Sequence, residues 1–245
     1  METEELQQKI ETLAQWVRDS DNIVFFGGAG VSTESGIPDF RSVDGLYHMK
    51  YKFPPETILS HTFFCENTEE FYRFYRDKML CLDAQPNAAH KKLAQWEQEG
   101  KLKAIVTQNI DGLHQAAGSK NVLELHGSVH RNYCTKCHKF FDAAYMKQTT
   151  GIPHCDKCGG LIKPDVVLYE EGLDMDILEA AVRFISDADM LIIGGTSLVV
   201  YPAAGLIRYY RGHKLVLINK GSTTYDQDAD LIIPDAIGKV MSQLP

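Results

Sequence analysis

Two Cys-x-x-Cys pairs, Cys134-Thr135-Lys136-Cys137 and Cys155-Asp156-Lys157-Cys158, have spacings that dictate chemistry most directly. Each pair forms a tight knuckle that presents two thiolates, and the 17 residues between the pairs suit closure around a single tetrahedral ion. Four Cys ligands leave no open coordination position, so the expected chemistry is structural zinc and not metal catalysis. The competing reading is a pair of disulfides or a redox Cys-x-x-Cys, which a reducing compartment disfavours. Cys65 and Cys81 stand alone and read as small buried hydrophobes.

A second feature is Gly27-Gly28-Ala29-Gly30-Val31-Ser32-Thr33-Glu34-Ser35-Gly36-Ile37-Pro38-Asp39-Phe40-Arg41, directly after the apolar run Ile23-Val24-Phe25-Phe26. Small residues after a buried strand let the backbone turn and approach a ligand closely. A helix start there would aim N–H groups at an anion, as a pyrophosphate cradle does. The dinucleotide fingerprint is incomplete: the third glycine is Thr33, and position 50, where a ribose-binding acid is expected, is Lys50. The glycines alone therefore fit a phosphate site and a purely structural turn equally. The Ser-Gly-Ile-Pro-Asp-Phe-Arg run that follows mixes a carboxylate, a ring and a guanidinium, which suits a ligand-covering loop.

Polar residues recur at the ends of later apolar runs. Thr107-Gln108-Asn109-Ile110-Asp111 follows Ile105-Val106, and His126-Gly127 follows Val122-Leu123-Glu124-Leu125. Gly194-Gly195-Thr196-Ser197 ends the run beginning at Met190, and Asn219-Lys220-Gly221 ends the one beginning at Leu215. Ligands in open α/β sheets bind outside the carboxyl ends of the strands. Asn109 or Asp111 also suits a helix N-cap for residues 112–117. His126, at a strand end beside a glycine, is the best candidate general base, since imidazole titrates near working pH. His114 and His130 lack that setting.

The elements that must position these groups follow from periodicity. Leu6, Ile10, Leu13 and Val17 recur at helical spacing across 4–19, and helical patterns also cover 87–99 and 174–186. Buried-strand runs lie at 23–26, 103–106, 121–125, 189–193 and 213–218. This alternation predicts an α/β fold, a doubly wound parallel sheet of Rossmann-like type, with a smaller zinc-ribbon plus helical insertion domain. Residues 1–41, 86–127 and 166–245 are assigned to the Rossmann-like domain. Residues 42–85, helical near 69–80, and the Cys-rich stretch 128–165 are assigned to the small domain.

With 245 residues, 44% hydrophobic and 24% charged, the chain has the composition of a globular protein. The net charge of −8 argues against nucleic acid as the main partner. No apolar run is long enough to span a membrane, and the acidic, polar N-terminus does not read as a secretory signal. A cytoplasmic protein with reduced thiols, and a monomer, is the expectation.

Taken in order, these motifs resemble the sirtuins, the Sir2 family of NAD-dependent protein lysine deacylases, of bacterial type. The match runs through Gly28-Ala29-Gly30-Val31-Ser32 with residues 35–41, then Gln108-Asn109-Ile110-Asp111 and His126-Gly127. It continues through both Cys-x-x-Cys pairs, Gly195-Thr196-Ser197 and Asn219, spanning about residues 23–237. Sirtuins bind NAD in an inverted orientation on a modified Rossmann domain, which accounts for the absent glycine and acid.

The resemblance implies roles residue by residue. Ala29, Thr33 and Arg41 would contact phosphates and ribose, and Phe40 would shield the reacting ribose. Ile110 and Asp111 would grip the nicotinamide carboxamide, with Ala29, Ile37 and Asp39 lining its pocket. Gln108 and Asn109 would position the ribose or a water, so Asn109 joins His126 as a catalytic residue. Thr196, Ser197, Asn219, Lys220 and Ile237 would hold the adenosine half. Cys134, Cys137, Cys155 and Cys158 would bind one structural zinc. Extended strands at 166–169 and 199–201, carrying Val167, Tyr169, Val199 and Tyr201, would sandwich an acetyl-lysine peptide by strand addition.

The implied reaction transfers the acetyl group of acetyl-lysine to ADP-ribose, giving lysine, nicotinamide and O-acetyl-ADP-ribose. Sirtuins that remove acidic acyl groups resemble one another in a Tyr-x-x-Arg pair. Here Tyr72 matches, but Tyr75 stands at the Arg position and Arg76 falls about 100° round the helix, so neutral acyl groups are expected. Family members commonly read Phe-Gly-Glu where this chain has Tyr169-Glu170-Glu171, and Glu170 reads as a solvated surface residue or a contact at the peptide rim. Two other readings remain. An ADP-ribosyltransferase or NAD glycohydrolase would not need the peptide strands. A non-catalytic NAD sensor would be expected to have lost His126 or Asn109.

Overall fold

The computed structural model describes residues 2–39 and 51–245. Phe40 and Arg41 therefore lie outside the described residues. The chain opens with α1 (Glu2–Arg18), followed by β1 (Ile23–Gly27) and two short 3-10 turns, Ala29–Val31 and Thr33–Ser35. Three short helices follow, α2 (Pro55–Ile58), α3 (His61–Glu66) and α4 (Thr68–Phe74), and α4 runs into a π-helical turn over Tyr75–Met79. Then come α5 (Ala88–Gln98), β2 (Leu102–Thr107), α6 (Leu113–Ala116), β3 (Val122–Glu124), β4 (Gly127–Cys134), β5 (Phe140–Phe141), α7 (Ala143–Gln148) and β6 (Ile162–Val166). The C-terminal part holds α8 (Met175–Asp187), β7 (Met190–Gly194), a 3-10 segment Ala203–Tyr209, β8 (Leu215–Ile218), β9 (Leu231–Ile233) and α9 (Ile237–Met241).

Six strands form one sheet in the order β3-β2-β1-β7-β8-β9, and every pairing is parallel. The expected doubly wound sheet is thus present. Alternate residues of β1 serve opposite faces: Ile23 and Phe25 join a core with α1, α5 and α9, whereas Val24 and Phe26 join one with α8 and the 3-10 segment. Burial on both sides is why such strands read as unbroken apolar runs. β9 leaves no signature in the sequence because three apolar residues carry no period.

A second, antiparallel sheet, β5-β4-β6, occupies the Cys-rich stretch, where periodicity had shown no strands. Its side chains share one core with the helices of residues 55–80: Phe71, Tyr72 and Tyr75 pack with Val129, Met146 and Ile162. The two insertions, distant in sequence, are one hydrophobic unit.

His90 on α5 and His114 on α6 are buried with ring centroids 4.8 Å apart. Asn87 N–H donates to His90 Nδ1, whereas His90 Nε2 and both nitrogens of His114 have no hydrogen-bond partner among the described residues. Burial pulls both imidazoles down, His90 to about 4 and His114 to about 3. In the unfolded chain they titrate near 6.5. Below that pH the unfolded state therefore binds protons that the folded state refuses. Stability should hold above about pH 6.5 and fall progressively as pH drops towards 4. Urea midpoints measured at pH 7.5, 6 and 5 check this, and His114→Phe should flatten the trend.

Candidate active site

The strand order reverses between β1 and β7, and the carboxyl ends of the strands at such a reversal are where open α/β sheets bind ligands. The loops after these strands meet backbone to backbone: Gly28 N–H donates to the Gly194 carbonyl (3.3 Å) and Gly30 N–H to the Gly195 carbonyl (2.7 Å). A Cβ on Gly30 would stand 2.8 Å from Gly195 Cα, and one on Gly195 (φ +60°) 2.3 Å from the Val31 nitrogen. The glycines are thus required by loop-to-loop packing. This revises the expected helix-start cradle. The segment forms 3-10 turns, and the Gly30, Val31 and Ser32 N–H groups are spent on protein carbonyls.

The cluster after β2 lies against this loop. Ser32 Oγ donates to Asp111 Oδ2 (2.6 Å) and accepts from Asn109 Nδ2 (3.2 Å). Ser32 is buried, so this chain of bonds fixes both carboxylate and amide. Of the two candidates, Asp111 bonds to the start of α6: its Oδ1 accepts from Leu113 N–H (2.9 Å), while Gly112 occupies the N-cap position itself. His130, on β4, donates from Nε2 to the Asp111 carbonyl (2.9 Å), a support that sequence reading passed over. Gly112 (φ +72°) is needed beneath it, because a Cβ would meet the His130 ring at 2.7 Å. Gln108 Nε2 reaches Thr196 Oγ1 (3.1 Å). Asn219 exchanges two bonds of 3.0 Å with the Thr196 backbone, so β2, β7 and β8 converge on one rim.

His126 is half-buried, with Nδ1 2.9 Å from the Gln108 carbonyl. A carbonyl accepts, so Nδ1 carries the proton and Nε2 retains a lone pair. That is the tautomer a general base requires. Burial lowers the basicity of the ring, and the Gln108 carbonyl offsets part of this. The acid limb of a kcat/KM–pH profile should accordingly show an apparent pKa below the ordinary histidine value of about 6.5. Gly127 (φ +74°) turns the chain into β4; a Cβ there would stand 1.9 Å from the Asp165 carbonyl. The His126 carbonyl accepts from Val167 N–H (3.0 Å), joining the base to the end of β6.

Other expected positions are distributed around this centre. Ala29, Thr33, Ile37 and Asp39 are half-buried on the first loop, and Thr33 Oγ1 donates to the Gly30 carbonyl (3.0 Å). Ile110 packs on the small-domain core, and its carbonyl accepts from Val129 N–H (3.0 Å). Ile237 is buried at the start of α9, beneath Gly194, while Ser197 and Lys220 are exposed. Asn87 also belongs here: its Nδ2 donates to the Val31 carbonyl (2.7 Å) and Ser35 Oγ (3.0 Å), a second task beyond capping α5.

The two expected peptide strands are not formed. β6 ends at Val166, and Tyr169 makes a single parallel bridge with Ser60. Tyr169 N–H donates to the Leu59 carbonyl (2.9 Å), and its own carbonyl accepts from His61 N–H (3.0 Å). These ladder groups are consumed within the protein. Residues 199–201 lie in a bend after Leu198 (φ +55°), with Val199 and Tyr201 exposed. Glu170 is no freely solvated residue: at φ +76° its carboxylate accepts from Thr62 N–H (2.9 Å) and Thr62 Oγ1 (2.7 Å).

The four Sγ atoms of Cys134, Cys137, Cys155 and Cys158 lie within 4.8 Å of one another. A tetrahedron of thiolates at about 2.3 Å from zinc has edges of about 3.8 Å, close to the Cys134–Cys158 (3.4 Å) and Cys137–Cys155 (3.6 Å) separations. The cysteines are positioned to bind zinc. The other two thiols are not buried hydrophobes: Cys65 is exposed and Cys81 half-buried. No described helix is long and apolar enough to cross a membrane.

The pattern of the Sir2 family matches residues 28–202. An NAD-dependent protein deacetylase of Clostridium acetobutylicum is 66% identical over 239 residues, covering 96% of this chain and 98% of that protein. One of Cutibacterium acnes is 53% identical, covering 95% and 96%. Among solved structures, a Sir2 protein with a p53 peptide and NAD+ superposes with a TM-score of 0.83 at 39% identity, covering 95% of each chain. Another, with a deacetylated p53 peptide and 3'-O-acetyl ADP-ribose, gives 0.86 at 40% identity, also covering 95% of each. The family pattern and these likenesses, together with the fold, place the chain in the Sir2 family.

Proposed function

We propose that this chain is an NAD-dependent protein lysine deacetylase acting in the cytoplasm on acetyl-lysine in proteins or peptides. The observation that carries the reading is the polar cluster at the strand reversal. There a Ser32–Asn109–Asp111 chain fixes polar groups beside His126, whose Nε2 is free to accept a proton.

The cosubstrate is NAD. Asp111 and Ile110 hold the carboxamide of nicotinamide, and Ala29, Thr33, Asp39, Phe40 and Arg41 enclose the phosphates and reacting ribose. Thr196, Ser197, Asn219, Lys220 and Ile237 take the adenosine half. As the nicotinamide bond breaks, positive charge develops at the anomeric carbon and the acetyl oxygen attacks it. His126 Nε2 then takes a proton from a ribose hydroxyl, which attacks the imidate carbon. Asn109 and Gln108 orient the ribose. Water completes the release of lysine and O-acetyl-ADP-ribose. Exclusion of bulk water protects the charged intermediate from hydrolysis.

Val167, Tyr169, Val199 and Tyr201 receive the peptide. Because the Tyr169 backbone is committed to Leu59 and His61, Tyr169 contributes its exposed ring and not ladder bonds. The Cys134, Cys137, Cys155 and Cys158 zinc is structural, and the protein is a monomer.

Incubation with NAD and an acetyl-lysine peptide tests the reading when both products are followed. Equal amounts of nicotinamide and deacetylated peptide are expected. Nicotinamide without deacetylation would instead mark a glycohydrolase or ADP-ribosyltransferase, and no turnover a sensor.

Acyl preference follows from the helix after α3. Tyr72 and Tyr75 are buried, and Tyr72 OH donates to the Ile162 carbonyl. The Arg76 guanidinium is committed to Thr149 Oγ1 (3.2 Å) and the Gly151 carbonyl (2.7 Å). A succinyl carboxylate would find no such cation waiting. The unpaired charge costs about 3 kcal/mol, so acetyl-peptide should exceed succinyl-peptide in kcat/KM by roughly a hundredfold.

A further inference from the structure

A second cluster of reactive side chains lies outside the cofactor site, where α3 meets the loop after β6. Cys65 Sγ is 3.5 Å from His61 Nε2, one helical turn away. His61 Nδ1 is 2.9 Å from Glu171 Oε1. A carboxylate accepts, so Nδ1 carries the proton and Nε2 turns its lone pair to the thiol. Nucleophile, base and orienting acid stand in series, the arrangement that activates nucleophiles on unrelated folds.

The orienting acid is itself held. Glu171 Oε2 accepts from Leu168 N–H (2.9 Å) and Lys163 Nζ (3.2 Å). Glu170 clamps the same loop to Thr62, and His61 N–H is bonded to the Tyr169 carbonyl. The imidazole is therefore fixed from both its backbone and its ring. Cys65 is exposed, whereas burial pushes the Cys81 thiol up, and the other four cysteines form the zinc site.

We propose that Cys65 is a nucleophilic thiol that exchanges with small disulfides. As Cys65 Sγ attacks one sulfur of R–S–S–R, its proton passes to His61 Nε2. The R–S–S–R bond breaks, a Cys65–S–S–R bond forms, and the leaving thiolate takes the proton from His61 as RSH. Cys65 is oxidised and half of the small disulfide is reduced, so no other oxidant is consumed. Glu66, Glu170 and Glu171 make the surroundings acidic, which favours a cationic disulfide over an anionic one.

The full-length, zinc-loaded protein is exposed at pH 7.5 to cystamine or to oxidised glutathione, and mixed disulfides are located by peptide mass spectrometry. Cys65 should react at least tenfold faster than Cys81, and faster with cystamine than with oxidised glutathione at low salt. His61→Ala leaves Cys65 exposed but removes the base, so the Cys65 rate should fall at least fivefold. Glu171→Gln should slow it too, and His61→Gln repeats the test without shortening the side chain. An unchanged Cys65 rate in both His61 variants would overturn the proposal, as would a wild-type Cys65 no faster than Cys81.

Discussion

Replacing His126 with alanine is expected to lower deacetylation by a factor of at least 10²–10⁴, the range a positioned general base contributes. Nicotinamide exchange and NAD affinity should stay within a few-fold of wild type. The reason is geometric. The ring of His126 is tied to the Gln108 carbonyl, while Gln108 holds its own place through Thr196 and through its N–H to the Gly27 carbonyl (3.0 Å). Removing the imidazole therefore leaves the Ser32–Asn109–Asp111 chain standing. Exchange of labelled nicotinamide into NAD, measured beside peptide deacetylation, separates the two steps. Deacetylation at the wild-type rate would remove His126 from the mechanism. Parallel loss of exchange would assign it to cosubstrate binding instead.

Withdrawing zinc is expected to have the largest effect on stability. After Cys134 at the end of β4, the regular elements up to Cys158 are only the two-residue β5 and the six-residue α7. Structural zinc supplies on the order of 10 kcal/mol in small domains of this kind, more than the typical net stability of a whole domain. A chelator, or Cys137→Ser, should melt the small sheet first. Activity should go with it, because β4 carries His130 against Asp111, and β4 and β6 join at His126. Metal content by atomic absorption, circular dichroism and turnover, followed together, check this. Full activity in metal-free protein would separate the zinc module from the active site.

The acid-sensitivity of the buried His90 and His114 acts on a different axis from His126. The first pair weakens the fold below about pH 6.5, and the lowered basicity of His126 preserves the base form in that same range. A rate that survives where stability has already declined would therefore be the joint signature.

The doubly wound sheet was legible because β1, β2, β7 and β8 are buried on both faces, and continuous apolar runs follow directly from that burial. The polar residues at their ends were legible for the same reason. Solvent contact resumes where a strand leaves the core, so Gln108, Asn109, Asp111 and Thr196, with His126 just past β3, stood out by contrast. The zinc ligands were legible because metal geometry imposes local spacing, which sequence records without folding. The antiparallel sheet was not, since β4 and β6 pair across 28 (Cys134–Ile162) to 39 (Gly127–Val166) positions, and β6 alternates over only five residues with a proline at its centre. The strands expected at 166–169 and 199–201 are replaced by the end of β6 with a single Tyr169 bridge and by a bend, for tertiary reasons. Ser60, Leu59 and His61 capture the Tyr169 backbone, and a left-handed Leu198 bends the second segment.

By itself, the sequence determined five of the six parallel strands, the four zinc thiols and the candidate base, because each depends on burial pattern or short-range spacing. The tertiary structure alone decided the rest. It showed that the glycines serve loop-to-loop packing, that the Gln108 carbonyl sets the His126 tautomer, and that Cys65 meets His61 and Glu171. These are contacts between atoms brought together across up to some 165 positions of chain, and residue type carries no record of a partner that folding supplies.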